Sequence, residues 1–500
     1  MKVKQRYTWR NSIKHLAVQP LKYWIPESLD DLVEIINEAT RQGLRVRAVG
    51  SGHSFSDVAI TGDYLVDTHS LNRFLKINKD QLKDDWVSRN LVEVECGITI
   101  HDLNKGLDSR QMAIINMGGI DHQTFGGASS TATHGSGRSL PALPGMVHSF
   151  VMVTESGEIQ RIEPSNGITD PARYTNSKIR LVQNDDVFHS ALVGFGGFGL
   201  IYSYTIETRD MYYIREDRVL RKWAEVKAAI LDGSIHKDDD GSELRSVSVR
   251  VNPYIVKGQS DHTAILIRHR DLTEKPTKRG LGGATRPILL SILGSIPGMP
   301  RLALMWMQLN PRKIPKIVES SLTGMKDRIY TNRAHKVLFL GQVRMKEHGM
   351  DSEFAFDAND PARLVAVMEK LFATAEHVST ISNLYHSSQI GMRWVRSSGH
   401  YMAPDYNMDV CYIDTPNVAR TKGAYEITSH YQDVQFSMGG RPHWGKLHNR
   451  ITSGYLDRIG AWYPMFGVWK EVFALYNKRG TFRNAFTDRL GVGQDASAEA

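Results

Sequence analysis

Two glycine-rich stretches of the chain carry residues that could hold an anionic ligand. The first is the GSGHS turn, which follows a short apolar segment and consists of Gly50, Ser51, Gly52, His53 and Ser54. A turn that cradles a phosphate needs small residues, because backbone N–H groups must approach the anion closely. The bulky imidazole of His53 is not needed for that purpose and requires a separate explanation.

The second stretch, TFGGASSTATHGSGRS at residues 124–139, contains no large apolar side chain after Phe125. Its glycines let the backbone approach a neighbour closely, and its hydroxyl and N–H groups can donate hydrogen bonds. A cofactor with a pyrophosphate and a polar ring edge would fit such a surface, whereas a mobile surface loop is the alternative. Together with the GSGHS turn, the stretch suggests two loops that bind one large cofactor.

A third glycine-rich stretch, GFGGFG at residues 194–199, matches the GxGxxG spacing of dinucleotide-binding turns. That fingerprint follows a strand and opens a helix. Here the helix-like DDVFHSALV comes before it and the strand-like LIYSYTIET comes after it. We therefore interpret the stretch as a helix-to-strand connection. The 19 histidines include no HExxH motif, and no metal site is predicted.

The elements that must position these loops alternate between helix and strand. Helices are predicted for PESLDDLVEIINEATRQG, TIHDLNKGLDSRQ, REDRVLRKWAEVKAAIL and DPARLVAVMEKLFATAEHV. Strands are predicted for LRVRAV, LVEVECG, LRSVSVRVNPYIV and HTAILIRHRDL, and a hairpin for SFVMVTESGEIQRIE. In the first helix, Ser28 is the expected N-cap and Gly43 the expected C-terminal stop. This succession of elements indicates an α+β fold.

The composition is that of a globular protein and excludes several classes. Of the 500 residues, 41% are hydrophobic and 23% are charged, which is typical of soluble domains. The net charge of +8 favours anionic ligands or surfaces, although an ordinary slightly basic protein is the simpler interpretation. Cys96 and Cys411 form no CxxC pattern, so neither a disulfide framework nor a structural zinc site is expected. We expect a cytoplasmic protein without a signal peptide or a nucleic-acid partner.

Three motifs occur in the order GSGHS, THGSG and PHWGKLH, the last at residues 442–448. Together they resemble the aldonolactone oxidase and alditol oxidase group of vanillyl-alcohol-oxidase-type flavoproteins, and the resemblance spans nearly the whole chain. It implies a two-part FAD-binding domain of vanillyl-alcohol-oxidase type with an inserted α+β substrate (cap) domain. A change of composition near Arg209 agrees with this division. The predicted parts are an FAD-binding domain at 1–208, a cap domain at 209–431 and a returning C-terminal segment at 432–500.

The resemblance also implies the reaction, which is FAD-dependent oxidation of a CH–OH group in a sugar lactone or polyol by hydride transfer to flavin N5. Oxygen or a quinone-type compound would accept the electrons. In this family, a histidine at the position of His53 is commonly bonded to the flavin 8α-methyl carbon, and a histidine that only hydrogen-bonds to FAD is the alternative. The implied FAD-binding residues are Gly50, Ser51, Gly52, His53, Ser54, Gly127, Ser130, Thr133, His134, Gly135, Ile201 and His443.

Three further residues are implied to be catalytic or substrate-binding. They are Lys446 in HWGK, Arg393 in IGMRWVRSSG and Glu353 in DSEFAFD. Two roles are open for Lys446. Arg393 and burial could lower its pKa so that it accepts the hydroxyl proton, or it could stay charged and stabilise the anionic reduced flavin.

Two departures from the family pattern concern the substrate pocket. Gly391 stands two residues before Arg393, where the family has a glutamate. Ile413 stands where alditol oxidases have the histidine of a histidine–threonine pair, with Thr415 as the matching threonine. The loss of both polar groups predicts a less polar or roomier pocket. A larger, less polar alcohol is therefore the alternative substrate.

An uncharged run at residues 287–300 is flanked by basic residues. A span of the bilayer needs about twenty apolar residues, and this run is shorter. Burial in the cap domain is favoured, and a peripheral membrane contact with a basic rim is the alternative. A non-enzymatic flavin-binding or membrane-associated module is the remaining class of function, but Lys446 and Arg393 argue against it.

Overall fold

The computed structural model of the chain describes residues 1–272, 274, 276, 299–326, 329–340, 349–451 and 456–492. Strands and helices mix as the α+β fold that the sequence predicts, with helices packed against three larger sheets. One apolar core extends from the helix Leu29–Arg41, through the second sheet, to the helix Pro361–Ser382.

The first sheet carries the GSGHS turn at the carboxyl end of a strand. Its strands, in spatial order, are Lys2–Lys4, Lys22–Ile25, Tyr64–Asp67 and Val46–Val49. The last three strands are mutually parallel, and Val46–Val49 runs directly into the turn. The helix Leu29–Arg41 begins where predicted, since the Ser28 side chain accepts a hydrogen bond from the Asp31 N–H. Gly43 follows the end of this helix with a φ of +66°, a left-handed conformation that favours glycine.

The second sheet contains the predicted hairpin and the strand that follows GFGGFG. Its strands, in spatial order, are Arg180–Gln183, Ile159–Glu163, Val147–Val153, Leu200–Glu207, Leu91–Glu95 and Phe74–Leu75. Val147–Val153 and Ile159–Glu163 pair antiparallel as the hairpin. The helix Asp185–Leu192 precedes residues 194–199, and the strand Leu200–Glu207 follows them. The interpretation of GFGGFG as a helix-to-strand connection is therefore confirmed.

The third sheet is antiparallel and presents polar side chains on one face. Its strands, in spatial order, are Ile329–Arg333, Tyr213–Lys222, Thr263–Leu272, Ser246–Val251, Ile390–Val395, Val410–Asp414, Glu353–Asp357 and Arg441–Pro442. The register places Asp414 between Glu353 and Gly391. It also places Arg250 opposite Gly391. Because opposed residues of antiparallel strands share a face, these four positions form one row across the sheet.

The remaining elements are shorter or lie at the periphery of the sheets. The other helices are Asp84–Val87, Ile100–Asp108, Phe125–Ser130, Trp223–Leu231, Met299–Leu309, Ile314–Thr323, Ala334–Leu338, Ala424–Ser437, Leu456–Trp462, Phe466–Tyr476 and Ala485–Arg489. Short 3₁₀ turns are Thr68–Ser70, Lys79–Gln81, Leu143–Met146, Ser234–His236 and Pro311–Lys313. Two-stranded pairs join Trp9–Arg10 to Ala17–Val18, Met112–Ala113 to Arg209–Asp210, and Gly349–Met350 to Asn417–Val418.

One helix prediction is wrong in its first half. The segment REDRVLRKWAEVKAAIL contributes most of the strand Tyr213–Lys222, and its helix begins only at Trp223. The strand pairs with Thr263–Leu272 on one side and with Ile329–Arg333 on the other. These long-range pairings outweigh the local helix propensity of the segment.

Two further predictions depend on where elements end. The helix Ala424–Ser437 continues past residue 431, so the predicted domain boundary at that residue falls inside a helix. The uncharged run lies outside the described residues as far as residue 298, and its end begins the helix Met299–Leu309. Among the described helices, none has the length and hydropathy needed to cross a bilayer.

The C-terminal segment returns to the other end of the chain. The Trp469 indole donates a hydrogen bond to the Ser190 carbonyl at 3.1 Å. The Val46 N–H donates to the Thr481 carbonyl at 2.7 Å, which extends the first sheet by one contact. The HWGK segment contacts the residues that follow the GSGHS turn, since the Phe55 N–H donates to the Gly445 carbonyl at 2.8 Å and the Ser56 hydroxyl donates to the Trp444 carbonyl at 2.6 Å.

Candidate functional site

A cavity of about 620 Å³ lies between the three sheets. This volume is in the range of small-molecule sites, which is about 300–1,000 Å³. The cavity is bordered by both glycine-rich loops, the GFGGFG connection, the polar face of the third sheet and the HWGK segment. The predicted site residues that line it are Gly50, Ser51, Gly52, His53, Ser54, Gly127, Ser130, Thr133, His134, Ile201, Glu353, Arg393, His443 and Lys446.

The two glycine-rich loops pack directly against each other. Thr124 is the N-cap of the helix Phe125–Ser130, and its hydroxyl lies so close to Gly50 that a Cβ there would collide with it. Gly52 has a φ of +67°, which side chains rarely adopt. The Ser51 hydroxyl donates a hydrogen bond to the His122 carbonyl at 2.5 Å. The glycines of the GSGHS turn are therefore required by its own packing and conformation.

Gly135 has a different role from the one the sequence suggested. Among the described residues, it is absent from the cavity lining. A Cβ at Gly135 would collide with the Asn116 side chain and the Met117 carbonyl. Its small size thus allows the second loop to pack against protein rather than against a ligand.

Six charged residues meet at one part of the cavity wall, and we call them the charged cluster. Its members are Arg250, Asp351, Glu353, Arg393, Asp414 and Lys446. Arg393 Nη2 lies 2.9 Å from Glu353 Oε1 and 3.1 Å from Asp414 Oδ2. Arg250 Nη1 donates to Asp414 Oδ1 at 2.5 Å. Lys446 Nζ lies 2.5 Å from Asp351 Oδ2 and 3.7 Å from Glu353 Oε2.

The position of Gly391 explains why no glutamate stands there. A Cβ at Gly391 would collide with Arg250 Nη1 and Asp414 Oδ1. The Arg250–Asp414 ion pair therefore occupies the space that a side chain at this position would need. The expectation of a less polar pocket is wrong at this point, because an ion pair has replaced the missing carboxylate.

Ile413 does not take part in the site. It is opposite Phe354 and Met392, on the face of the third sheet that points away from the charged cluster. Among the described residues, neither Ile413 nor Thr415 lines the cavity, whereas Asp414 does. Sequence reasoning missed Arg250, Asp351 and Asp414. The charged positions in SVSVRV and YIDTP were signals for two of them, but only the register shows that they meet.

The charged cluster keeps Lys446 protonated in the resting protein. Burial alone would lower the pKa of Lys446, but Asp351 and Glu353 together raise it above its ordinary value. Burial would raise the pKa of Glu353, but Arg393, His134 and Lys446 hold it well below its ordinary value. Arg393 and burial do act to lower the pKa of Lys446, as predicted, but Asp351 and Glu353 outweigh them, so the pKa is not lowered overall.

Two buried histidines lie against the charged cluster. The His134 ring stacks on Tyr412 with centroids 3.6 Å apart, and His134 Nε2 lies 3.3 Å from Glu353 Oε1. The Gly445 N–H donates to His443 Nδ1 at 3.1 Å, so this ring nitrogen carries no proton. Burial lowers the pKa of His443 to about 3. His443 is therefore neutral near neutral pH.

Two known protein families match parts of the chain that contribute residues to this cavity. Residues 20–163 match the FAD binding domain family, and residues 296–490 match the D-arabinono-1,4-lactone oxidase family. The first match contains both glycine-rich loops, and the second contains Glu353, Arg393 and Lys446.

Similar curated proteins extend over nearly the whole chain. The L-gulonolactone oxidase of Bos taurus is 23% identical and covers 94% of this chain and 95% of its own length. The L-gulono-1,4-lactone dehydrogenase of Mycobacterium tuberculosis is 26% identical and covers 96% of this chain and 98% of its own. The D-arabinono-1,4-lactone oxidase of Kluyveromyces lactis is 28% identical over 42% of this chain and 36% of its own.

The fold has a counterpart among solved structures. Cholesterol oxidase from B. sterolicum superposes with a TM-score of 0.74 at 14% identity, covering 98% of this chain and 97% of that one. Fold and site together define an FAD-linked oxidoreductase with the vanillyl-alcohol-oxidase-type fold, acting on CH–OH groups. Within that class, the chain is similar to aldonolactone oxidases and dehydrogenases, which agrees with the resemblance of its three motifs.

The residues present fit FAD as the cofactor. Two glycine-rich loops meet at one wall of the cavity, and Gly52 and Gly127 are among its lining residues. Small residues of this kind suit the close approach of an anion to backbone N–H groups. Ile201 adds an apolar wall, and Lys446 places a positive charge at the charged cluster. FAD is the cofactor that this combination of loop, apolar wall and cation suits.

Proposed function

We propose that the protein oxidises a CH–OH group of a sugar lactone, with FAD as the electron acceptor. The charged cluster, which shares one cavity with the glycine-rich loops, supports this most directly. Such a cluster offers donors and acceptors to a substrate with several hydroxyl groups. The members of the cluster are already paired with one another, but a larger, less polar alcohol would offer nothing to their remaining hydrogen-bonding capacity, such as the unpartnered Asp351 Oδ1, and unmet capacity of this kind costs free energy. The similar proteins are named as lactone oxidases and a lactone dehydrogenase, which favours the same substrate class.

In this proposal, Arg393 and Lys446 orient the reacting hydroxyl group of the substrate. Glu353 accepts a hydrogen bond from Arg393 and so holds the guanidinium in place. FAD, when bound, accepts the hydride from the substrate carbon. Because Lys446 stays protonated, it stabilises negative charge that develops nearby during the reaction.

The proposal also assigns parts of the chain to tasks. Residues 1–208 bind FAD, the middle part from residue 209 binds the substrate, and the C-terminal segment returns the HWGK motif to the FAD side. The second boundary belongs at one end of the helix Ala424–Ser437, because a boundary inside a hydrogen-bonded helix is not a physical one.

A substrate panel tests this function. Aldonolactones are expected to reduce the bound flavin faster than polyols. Both are expected to react much faster than sterol-like alcohols, because only they carry enough hydroxyl groups to form hydrogen bonds with the charged cluster. Oxygen uptake and dye reduction are followed in parallel, since the relatives include both oxidases and a dehydrogenase. Faster reduction by the apolar alcohols would overturn the proposed substrate class.

We also propose that His53 holds FAD covalently. This proposal is supported by the position of His53, which lines the cavity directly after the left-handed Gly52. Acid-precipitated wild-type protein is expected to stay yellow, and His53→Ala is expected to release its FAD into the supernatant. His122→Ala serves as the control, because this neighbouring histidine is exposed. Free FAD in the wild-type supernatant would contradict the covalent bond.

A further inference from the structure

Asp351 carries an unused acceptor atom inside the charged cluster. The residue is 6% exposed and lines the cavity. Its Oδ2 accepts the hydrogen bond from Lys446, but Oδ1 is buried without a hydrogen-bond partner among the described residues. A buried carboxylate oxygen without a partner is costly, so it needs an explanation. No role was assigned to Asp351 by the sequence motifs.

The backbone holds Asp351 in a defined position relative to Lys446. The Leu447 N–H donates to the Asp351 carbonyl at 2.9 Å, and the Ser352 hydroxyl donates to the Leu447 carbonyl at 3.0 Å. The His443 N–H donates to the Glu353 carbonyl at 2.9 Å. Residues 351–353 and the HWGK segment are thus tied together on both sides of the Lys446–Asp351 contact.

The oxidation of an alcohol must release a proton as well as a hydride, and the cluster offers few groups that can take it. Lys446 is already protonated, and Arg393 is a guanidinium that does not titrate near neutrality. Glu353 has a pKa held well below its ordinary value, against the effect of burial, by Arg393, His134 and Lys446. The carboxylate of such a strong acid is a weak base and therefore a poor proton acceptor at neutral pH.

We propose that the Asp351 carboxylate is the proton acceptor of the reaction. This inference rests on the proposed function, because it requires a substrate hydroxyl group beside Lys446. The substrate O–H bond breaks, and its proton converts the Asp351 carboxylate to a carboxylic acid. The C–H bond of the carbon that carries this hydroxyl group also breaks. Its electron pair leaves with the hydrogen as a hydride, which bound FAD would accept. The substrate therefore loses two electrons and two hydrogens and becomes a carbonyl compound.

The electrostatics around Asp351 suit this role. Burial raises the pKa of Asp351 to about 7. The charges of Asp414 and Glu353 act in the same direction, whereas Lys446 acts to lower this pKa. Arg393, on the neighbouring strand Ile390–Val395, is the second cation that faces the group. Asp351 is then a carboxylate above that pH and can accept a proton only there. The rate of flavin reduction is expected to rise with pH through this range.

Asp351→Asn tests the inference while preserving the hydrogen bond to Lys446, because the amide oxygen still accepts. We expect bound FAD to be unchanged and flavin reduction to slow by about 10²- to 10⁴-fold, the usual contribution of an acid–base group. The rise in rate with pH that belongs to Asp351 is expected to disappear. Asp433→Asn, at an exposed aspartate of the helix Ala424–Ser437, is the control and is expected to keep the wild-type profile.

Infrared spectroscopy provides a readout that needs no turnover. A protonated-carboxyl band should titrate near neutral pH in the wild type and be missing in Asp351→Asn. An unchanged pH profile and an unchanged band in Asp351→Asn would overturn the inference even if lactones are oxidised well. If no lactone reduces the wild-type flavin, the proposed function fails, and the infrared titration still decides whether Asp351 is the titrating group.

Discussion

Replacing Lys446 with methionine will leave FAD bound and will slow flavin reduction by a lactone about 10²- to 10³-fold, the usual effect of losing one preorganised donor beside developing charge. Methionine keeps most of the side-chain length but removes the positive charge. It also leaves Asp351 and Glu353 without the ammonium that lies 2.5 and 3.7 Å from them. Single-turnover reduction of protein replete with FAD measures the effect separately from cofactor loss.

The pH profile of Lys446→Met separates the two roles that the sequence left open for this lysine. The Lys446 ammonium opposes the effect of burial on Asp351, so its removal should raise the Asp351 pKa further above about 7. The rise in rate should therefore move to higher pH and persist. If Lys446 were itself the base, that rise would vanish from the variant.

The same substitution at an exposed lysine is the control, and it shows whether the effect of Lys446→Met depends on the position of the lysine. Lys470→Met changes an exposed lysine of the helix Phe466–Tyr476 and should reduce at the wild-type rate with an unchanged profile. Reduction of Lys446→Met at the wild-type rate, with FAD fully bound, would remove Lys446 from the mechanism. Loss of FAD from that variant would instead place Lys446 in cofactor binding.

Much of the cofactor side of the site could be predicted because its signals are local. The GSGHS turn and the Ser28 cap are short-range features, and the structure contains the left-handed Gly52 and the Ser28 hydrogen bond that such features require. The order of helix, GFGGFG and strand was likewise readable from adjacent residues. Each of these depends on a few neighbouring positions and on backbone conformation rather than on distant contacts.

The charged cluster could be predicted only in part: Glu353, Arg393 and Lys446 lie in motifs, whereas Arg250 and Asp414 join them through strand register. Arg250, Gly391 and Asp414 are far apart in sequence and meet only because three strands align. A shift of one residue moves a side chain to the other face of a sheet. The family comparison directed attention to Ile413, whereas its neighbour Asp414 faces the cavity.

Arg47 is a buried cation that joins three distant segments around the cofactor side of the cavity. It is 1% exposed, and its guanidinium donates hydrogen bonds only to backbone carbonyls among the described residues. These acceptors are the carbonyls of Val58, Phe195, Gly196 and Phe482. Burial lowers the pKa of Arg47 to about 10, so it remains charged at neutral pH.

Arg47→Met is expected to destabilise the protein by about 3–5 kcal/mol, because four carbonyl groups lose their donor and each buried group left unsatisfied costs about 1–3 kcal/mol. Urea unfolding of the holoprotein measures the change. Arg45→Met is the control, because Arg45 is exposed two residues earlier and pairs only loosely with Asp488, at 3.7 Å.

The same variant should also lose FAD more readily than the wild type. Arg47 ties the GFGGFG connection, the segment after the GSGHS turn and the C-terminal segment to one point, and the first two border the cavity. Without that tie the cavity wall is free to open, so the covalent bond that we propose for His53 would be the main remaining attachment. Arg47→Met combined with His53→Ala should therefore retain less FAD after gel filtration than His53→Ala alone. Equal retention in the two proteins, together with unfolding within about 1 kcal/mol of the wild type, would show that Arg47 does not hold the wall together.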